Sequence, residues 1–158
     1  MTRWRLRVWT RFFETPERVW AQKTDLDAIQ AEFPAWMPFS ITNGEGLLQG
    51  EPAVARLGLM KWPIRVTSHV PGERFVDESD NALFAEFVHE HRVERTSDGC
   101  RYIDDVQFVP RLASKATALA LQRVFILRHT RAAKTLEVDA RTVGTAVLRS
   151  EPQDDTAE

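Results

Sequence analysis

The sequence predicts a single α+β domain, a curved antiparallel sheet of about seven strands wrapped around a long C-terminal helix, with two short helices after strand one. Three observations predict it. The chain opens on a strict two-residue alternation, its middle is cut by Gly and Pro into short β-leaning runs, and residues 112 to 138 contain neither Gly nor Pro. A length of 158 residues is one ordinary domain. With 43% hydrophobic and 28% charged residues, it has the material for a packed core.

In the opening strand Trp4, Leu6, Val8 and Phe12 hold even positions while Arg3, Arg5, Arg7 and Arg11 hold odd ones, so one face is buried and the other wet. Thr15-Pro16-Glu17 then combines a capping hydroxyl, a proline suited to the first helical position and an acid at the positive end of the dipole. A short helix through Val19 and Trp20 follows. Thr24-Asp25-Leu26-Asp27 repeats the signal, Leu26, Ile29, Gln30 and Phe33 carry helical spacing, and Pro34 ends it. Strands are expected at Phe39–Thr42, Ala53–Gly58, Ile64–Val70, Arg74–Glu78, Leu83–Arg95 and Cys100–Val109.

The long helix is expected from Leu112 to Val138. Lys115, Gln122 and His129, seven apart, define its polar side, which turns Ala113, Ala116, Ala120, Val124 and Leu127 inward, flanked by Leu121 and Arg128. Leu119, Phe125 and Ile126 fall nearer the polar side and are free to meet another element or a second copy, which leaves a homodimer open. Residues 1–149 form the domain, and Ser150 to Glu158 an acidic flexible tail.

Composition removes several functions. A net charge of −2 gives no field for nucleic acid. No apolar run approaches the roughly 20 residues of a membrane span, so stable membrane insertion is not expected. Cys100 is the only cysteine, which excludes disulfide frameworks, iron–sulfur clusters and thiolate zinc sites and fits the cytoplasm. Gly44-Glu45-Gly46 is followed by no phosphate-loop Gly-Lys-Ser or Gly-Lys-Thr, and no serine sits in a nucleophile elbow. No cofactor is expected.

A strongly curved sheet does not press evenly on a straight helix, and a helix face rich in Ala leaves a gap. An internal cavity between sheet and helix follows; the plain alternative is a filled core built from nine Phe and five Trp.

Several segments carry a family resemblance. Phe13-Glu14-Thr15-Pro16-Glu17-Arg18-Val19-Trp20, Thr24-Asp25-Leu26, Pro71-Gly72-Glu73-Arg74-Phe75-Val76-Asp77-Glu78 and Phe87-Val88-His89-Glu90-His91-Arg92-Val93 occur in order, followed by Asp104-Asp105-Val106-Gln107-Phe108-Val109-Pro110 and Phe125 to Arg128. In these the chain resembles the START-like (SRPBCC, helix-grip) superfamily, the polyketide cyclase, dehydrase and lipid-transport group, in a bacterial branch of mostly uncharacterised members. Ser79-Asp80-Asn81-Ala82-Leu83-Phe84 departs from the Gln and Gly-Pro-Phe-like turn of relatives. The resemblance implies a cavity for apolar or amphipathic small molecules, with only some members acting as enzymes.

His89 and His91 leave the same strand face as Phe87 and Val93. A tight Asp98-Gly99 turn would place Val93 opposite Asp104, His91 opposite Val106 and His89 opposite Phe108, with Asp104 diagonal to His91. His89, His91 and Asp104 are therefore the catalytic candidates, Asp104 fixing an imidazole tautomer and a histidine holding a proton. The alternative is a hydrogen-bonded group that merely satisfies buried polar atoms. No metal is expected, because two strand histidines and Asp104 have nonspecific spacing and no cysteine assists. His69 and His129 stand alone and read as surface or satisfied residues. Arg128 is expected to pair with a strand carboxylate, Asp77 or Glu78, or with an anionic ligand head.

The candidate ligand-binding residues are Trp36, Phe39, Trp62, Phe75 and Phe87 from the meander, His89, His91, Asp104, Val106 and Phe108 from the histidine hairpin, and Ala120, Val124 and Arg128 from the helix. The first functional reading is a carrier or sensor of one hydrophobic or amphipathic molecule. Its rivals are a cyclase- or dehydratase-like enzyme using His89, His91 and Asp104, and a protein-interaction module using Phe125 or Ile126.

Overall fold

The computed structural model describes residues 1–136 and 142–151. Strand β1 (Arg3–Phe12) buries Leu6, Val8, Thr10 and Phe12, and its arginines point outward. Thr15 then caps helix α1 (Pro16–Thr24), its hydroxyl accepting from the Arg18 amide at 3.3 Å. Asp25 caps α2 (Leu26–Ala31) in the same way, at 2.7 Å from the Ala28 amide. The meander consists of β2 (Phe39–Thr42), β3 (Ala53–Leu57), β4 (Met60–Val70), β5 (Arg74–Ser79), β6 (Phe84–Thr96) and β7 (Gly99–Pro110). Helix α3 (Ser114–Thr135) follows, and the chain returns as β8 (Thr142–Glu151).

All strands join one antiparallel sheet in the order β2-β3-β4-β5-β6-β7-β1-β8. Its registers shift between Leu6 and Arg7, Val66 and Ser68, and Phe84 and Glu86. An extra residue on one strand bends it, so these irregularities curl the sheet about α3. The α+β, helix-wrapping architecture is that expected, with three differences. An eighth strand follows the helix, built from a β-branched run that the sequence reading did not assign. It pairs along the outer edge of β1 and becomes the last strand on that side of the sheet. Ser150 and Glu151 of the expected tail belong to this strand, and the rest of that tail, like the expected helix end at Val138, lies outside the described residues.

The third difference is the phase of α3. Ala118, Phe125, Arg128, His129, Ala132 and Ala133 are the buried positions, whereas Ala113, Ala116 and Ala120 are exposed. The expected wheel is thus rotated. Alanine supplies apolar surface on every side of this helix, so composition does not fix its phase, and His129, one of the three residues taken to define the polar side, is buried. Phe125, 4% exposed, is core and unavailable to a partner protein.

One core cluster packs Leu6, Val8, Phe84, Phe87, Val106 and Phe108 of the sheet against Ala118 and Phe125. A second sits under α1, around Phe12, Val19, Tyr102 and Ala132. The polar residues described next lie between them.

Candidate functional site

An apolar pocket of about 290 Å³ opens between the concave side of the sheet, α2 and α3. Phe39, Trp62, Phe75 and Phe87 line it from the sheet, Ala120, Val124 and Arg128 from the helix, and His89 and His91 form part of its floor with Asp77. A larger cleft of about 430 Å³ runs outside α2 and the single turn at Leu47–Gln49. No histidine lines it, whereas His89 and His91 line the smaller pocket. Four expected lining residues stand elsewhere. Trp36 is 74% exposed in the proline-bounded loop before β2, while Asp104, Val106 and Phe108 are sealed in the core behind the pocket wall. The bent sheet meets α3 directly at β7, so the gap opens over β3 to β6 instead.

Register builds the floor. The hairpin between β6 and β7 pairs Thr96 with Gly99 around Ser97-Asp98, placing His91 opposite Asp104 and His89 opposite Val106. The expected pairing is displaced by two residues. A slip of two preserves which side each residue faces, so Asp104 still shares the inward face but stands directly across from His91. On the other side β5 pairs Asp77 with His89 and Phe75 with His91. The two imidazoles are therefore held between two carboxylates.

The hydrogen bonds form one chain. Asp77 Oδ2 lies 2.9 Å from His91 Nε2, and His91 Nδ1 lies 2.7 Å from the Tyr102 hydroxyl. Tyr102 donates to Asp104 Oδ1 at 2.6 Å. Asp104 Oδ2 is 3.0 Å from His129 Nε2, and His129 Nδ1 is 2.7 Å from Thr10 Oγ1. All six residues are buried. His89 stands apart from this chain. Its Nε2 is 3.0 Å from Asp104 Oδ1, but the N–H direction misses that oxygen and the nitrogen lacks a hydrogen-bond partner. Phe75 stacks on His91 with ring centres 3.9 Å apart, and His89 lies 3.7 Å from His91.

These surroundings separate the titrations. Burial, reinforced by neighbouring His91, pushes His89 below the usual imidazole range. Burial acts on His91 in the same direction, but bonds to Asp104 and Asp77 outweigh it and raise it. Burial alone would raise Asp104, yet the three histidines around it hold it well below the usual carboxylate range. Burial drives Tyr102 well above the usual phenol range, so it remains a donor.

Arg128 pairs with neither Asp77 nor Glu78. Its Nη2 donates to Glu32 Oε2 at 3.1 Å, and Glu32, fully buried after α2, also binds buried Lys23. The Arg128 guanidinium lies over Phe33 and Phe125, and its Nε has no partner.

Sequence reasoning missed Asp77 as a floor residue, Tyr102, Thr10, Lys23 and Glu32, and misplaced His129, which is 1% exposed. Some signals were there. Asp77 follows inward Phe75 by two residues, and His129 lies one helical turn beyond Phe125. Lys23 and Glu32 carry no such mark, because only the packing of α1 and α2 against α3 buries them.

Residues 60–136 match a family model described as a domain of unknown function (DUF8410). No curated protein matches the chain. Among solved structures, protein MLL2253 from Mesorhizobium loti superposes with a TM-score of 0.69 at 12% identity, covering 84% of this chain and 96% of that one. Protein CV1439 from Chromobacterium violaceum gives 0.63 at 16% identity, over 85% and 98% of the two chains. DynU16, a protein of the dynemicin biosynthetic locus, gives 0.64 at 18% identity, over 84% of this chain and 47% of that one. At these identities the likeness is one of fold, an antiparallel sheet wrapped around a long helix.

Proposed function

We propose that this chain is a START-like carrier or sensor that holds one small apolar or amphipathic molecule between sheet and α3. The observation that carries the reading is the pocket itself: aromatic and aliphatic walls with Asp77, His89, His91 and Arg128 among the lining residues. Small-molecule sites commonly measure about 300–1,000 Å³, so about 290 Å³ suits a compact guest. Its affinity comes from apolar surface removed from water, about 2.5 kcal/mol per 100 Å², less the cost of immobilising the guest. Orientation comes from the polar side chains in the wall, Arg128 above all, whose charge favours an amphipathic guest over a wholly apolar one. The fold shared with a protein of a natural-product locus supports a guest of that kind. No described helix is long and apolar enough to cross a membrane. The compartment proposed is the cytoplasm, supported by the lone buried Cys100.

Native mass spectrometry of the full chain, followed by identification of the released small molecule, tests the reading. A stoichiometric apolar or amphipathic guest is the expected result. Conversion of that guest to product, lost in His91→Asn, would make the chain an enzyme in which His89 and His91 act at the guest and Asp104 orients them. A chain that binds no member of an apolar and amphipathic ligand panel would overturn both.

A further inference from the structure

We propose that Asp77, His89 and His91 bind one divalent transition-metal ion of the zinc class at the floor of the pocket, its remaining coordination positions facing the apolar cavity. The inference uses the pocket but no guest, and goes beyond the carrier reading. One donor atom from each of these three buried residues lies within 4.8 Å of the others. Asp77 Oδ2 is 2.9 Å from His91 Nε2 and 3.5 Å from His89 Nδ1. Ligands bound about 2.1 Å from a metal stand about 3.0 Å apart along an octahedral edge and about 3.4 Å along a tetrahedral one. The carboxylate thus already stands from both imidazoles at the spacing of a coordination polyhedron.

Hydrogen positions strengthen the case. Tyr102 has one hydroxyl hydrogen and donates it to Asp104. Its oxygen must then accept the hydrogen of His91 Nδ1, 2.7 Å away. In neutral His91 this leaves the Nε2 lone pair facing the Asp77 oxygen, two acceptors in contact. A second imidazole proton bridges that pair in the metal-free chain, and a metal ion bound there would take its place. His89 is turned the same way, with Nε2 towards Asp104 and Nδ1 towards Asp77. Metal-bound histidines ordinarily direct the other ring nitrogen at a carboxylate or similar acceptor; Tyr102 is that acceptor for His91, while Asp104 lies 3.0 Å from His89 Nε2 but off the line of its N–H. His129 and Thr10 hold Asp104 in place from behind.

Two imidazoles and one carboxylate suit zinc and its first-row neighbours better than calcium or magnesium, which favour oxygen ligands. The expectation of no metal rested on His89, His91 and Asp104 alone. Asp77 reaches the site only because β5 pairs with β6.

The test is titration of the chelator-stripped full chain with Zn²⁺ alone and Co²⁺ alone, with no organic ligand present. One equivalent should bind, raising the melting temperature and giving Co²⁺ the visible bands of a nitrogen and oxygen site. His89→Asn and Asp77→Asn should each lower affinity by at least about 100-fold, and Tyr102→Phe by about tenfold. Circular dichroism checks that each variant folds. If Asp77→Asn does not, His89→Asn decides, since the His89 imidazole makes no aligned hydrogen bond whose loss would unfold the chain. No uptake by the unsubstituted protein, or uptake undiminished in folded His89→Asn, overturns the proposal. Either failure leaves guest binding to be judged by its own mass-spectrometric result.

Discussion

Thr10 Oγ1 and His129 Nδ1 lie 2.7 Å apart with both side chains sealed from solvent, tying the first strand to the long helix. His129 Nε2 faces the Asp104 carboxylate and supplies the donor there, so Nδ1 is the acceptor and the Thr10 hydroxyl the donor. Thr10→Val keeps the shape and removes that donor. Stability should fall by about 1–3 kcal/mol, the cost of a buried polar atom left unsatisfied. Urea denaturation measures it, and an unchanged midpoint would show that the bond contributes nothing.

Ala120 lines the pocket yet is exposed, so a larger side chain there can enter the pocket without displacing core residues. Ala120→Phe should weaken guest binding at least about tenfold, while changing folding stability by less than about 0.5 kcal/mol. Parallel ligand titration and thermal melting separate the two effects. Full binding by a folded Ala120→Phe chain would move the guest elsewhere.

Glu32 holds two buried cations, Lys23 and Arg128. Glu32→Gln leaves both without their carboxylate and should destabilise the chain by about 3–5 kcal/mol. Lys23→Met combined with Glu32→Leu removes a whole pair, and should cost less than the single change. A double variant as unstable as Glu32→Gln would place the energy in Arg128, which both changes leave without its carboxylate, rather than in Lys23.

On the outer face Asp105 receives Arg5 at 2.9 Å and Arg7 at 2.8 Å. Burial alone would raise its carboxyl, but the two arginines outweigh burial and leave it below the usual carboxylate range. A depressed folded value means that the unfolded chain takes up the proton more readily. The stabilisation is therefore complete above the unfolded value of about 3.9, and disappears as pH falls through the folded one. The urea midpoints of the unsubstituted and Asp105→Asn chains should differ by a constant amount near neutrality and converge in acid. A gap independent of pH would contradict the linkage.

Gly99 has φ +153°, and a Cβ built there would stand 2.1 Å from the Phe12 carbonyl oxygen. The oxygen is backbone and a Cβ is fixed rigidly to backbone, so neither can swing aside. Gly99→Ala should destabilise by about 2 kcal/mol or more, beyond the usual effect of a surface substitution. Chemical denaturation tests this, and a neutral result would mean that the end of β1 can retreat.

The sequence by itself determined most of the elements and the faces of the strands. The alternation in β1, the caps at Thr15 and Asp25, and the inward parity of His89, His91 and Asp104 are local properties, set by side-chain chemistry and the two-residue period of a strand. Tertiary structure decided what local pattern leaves open. The hairpin slipped by two residues without breaking parity, α3 turned Phe125 and His129 inward although its alanines favour no side, and the pairing of β5 with β6 carried Asp77 to the histidines. Each depends on contacts between residues far apart in the chain, whose free energy exceeds the small local preferences that a sequence displays.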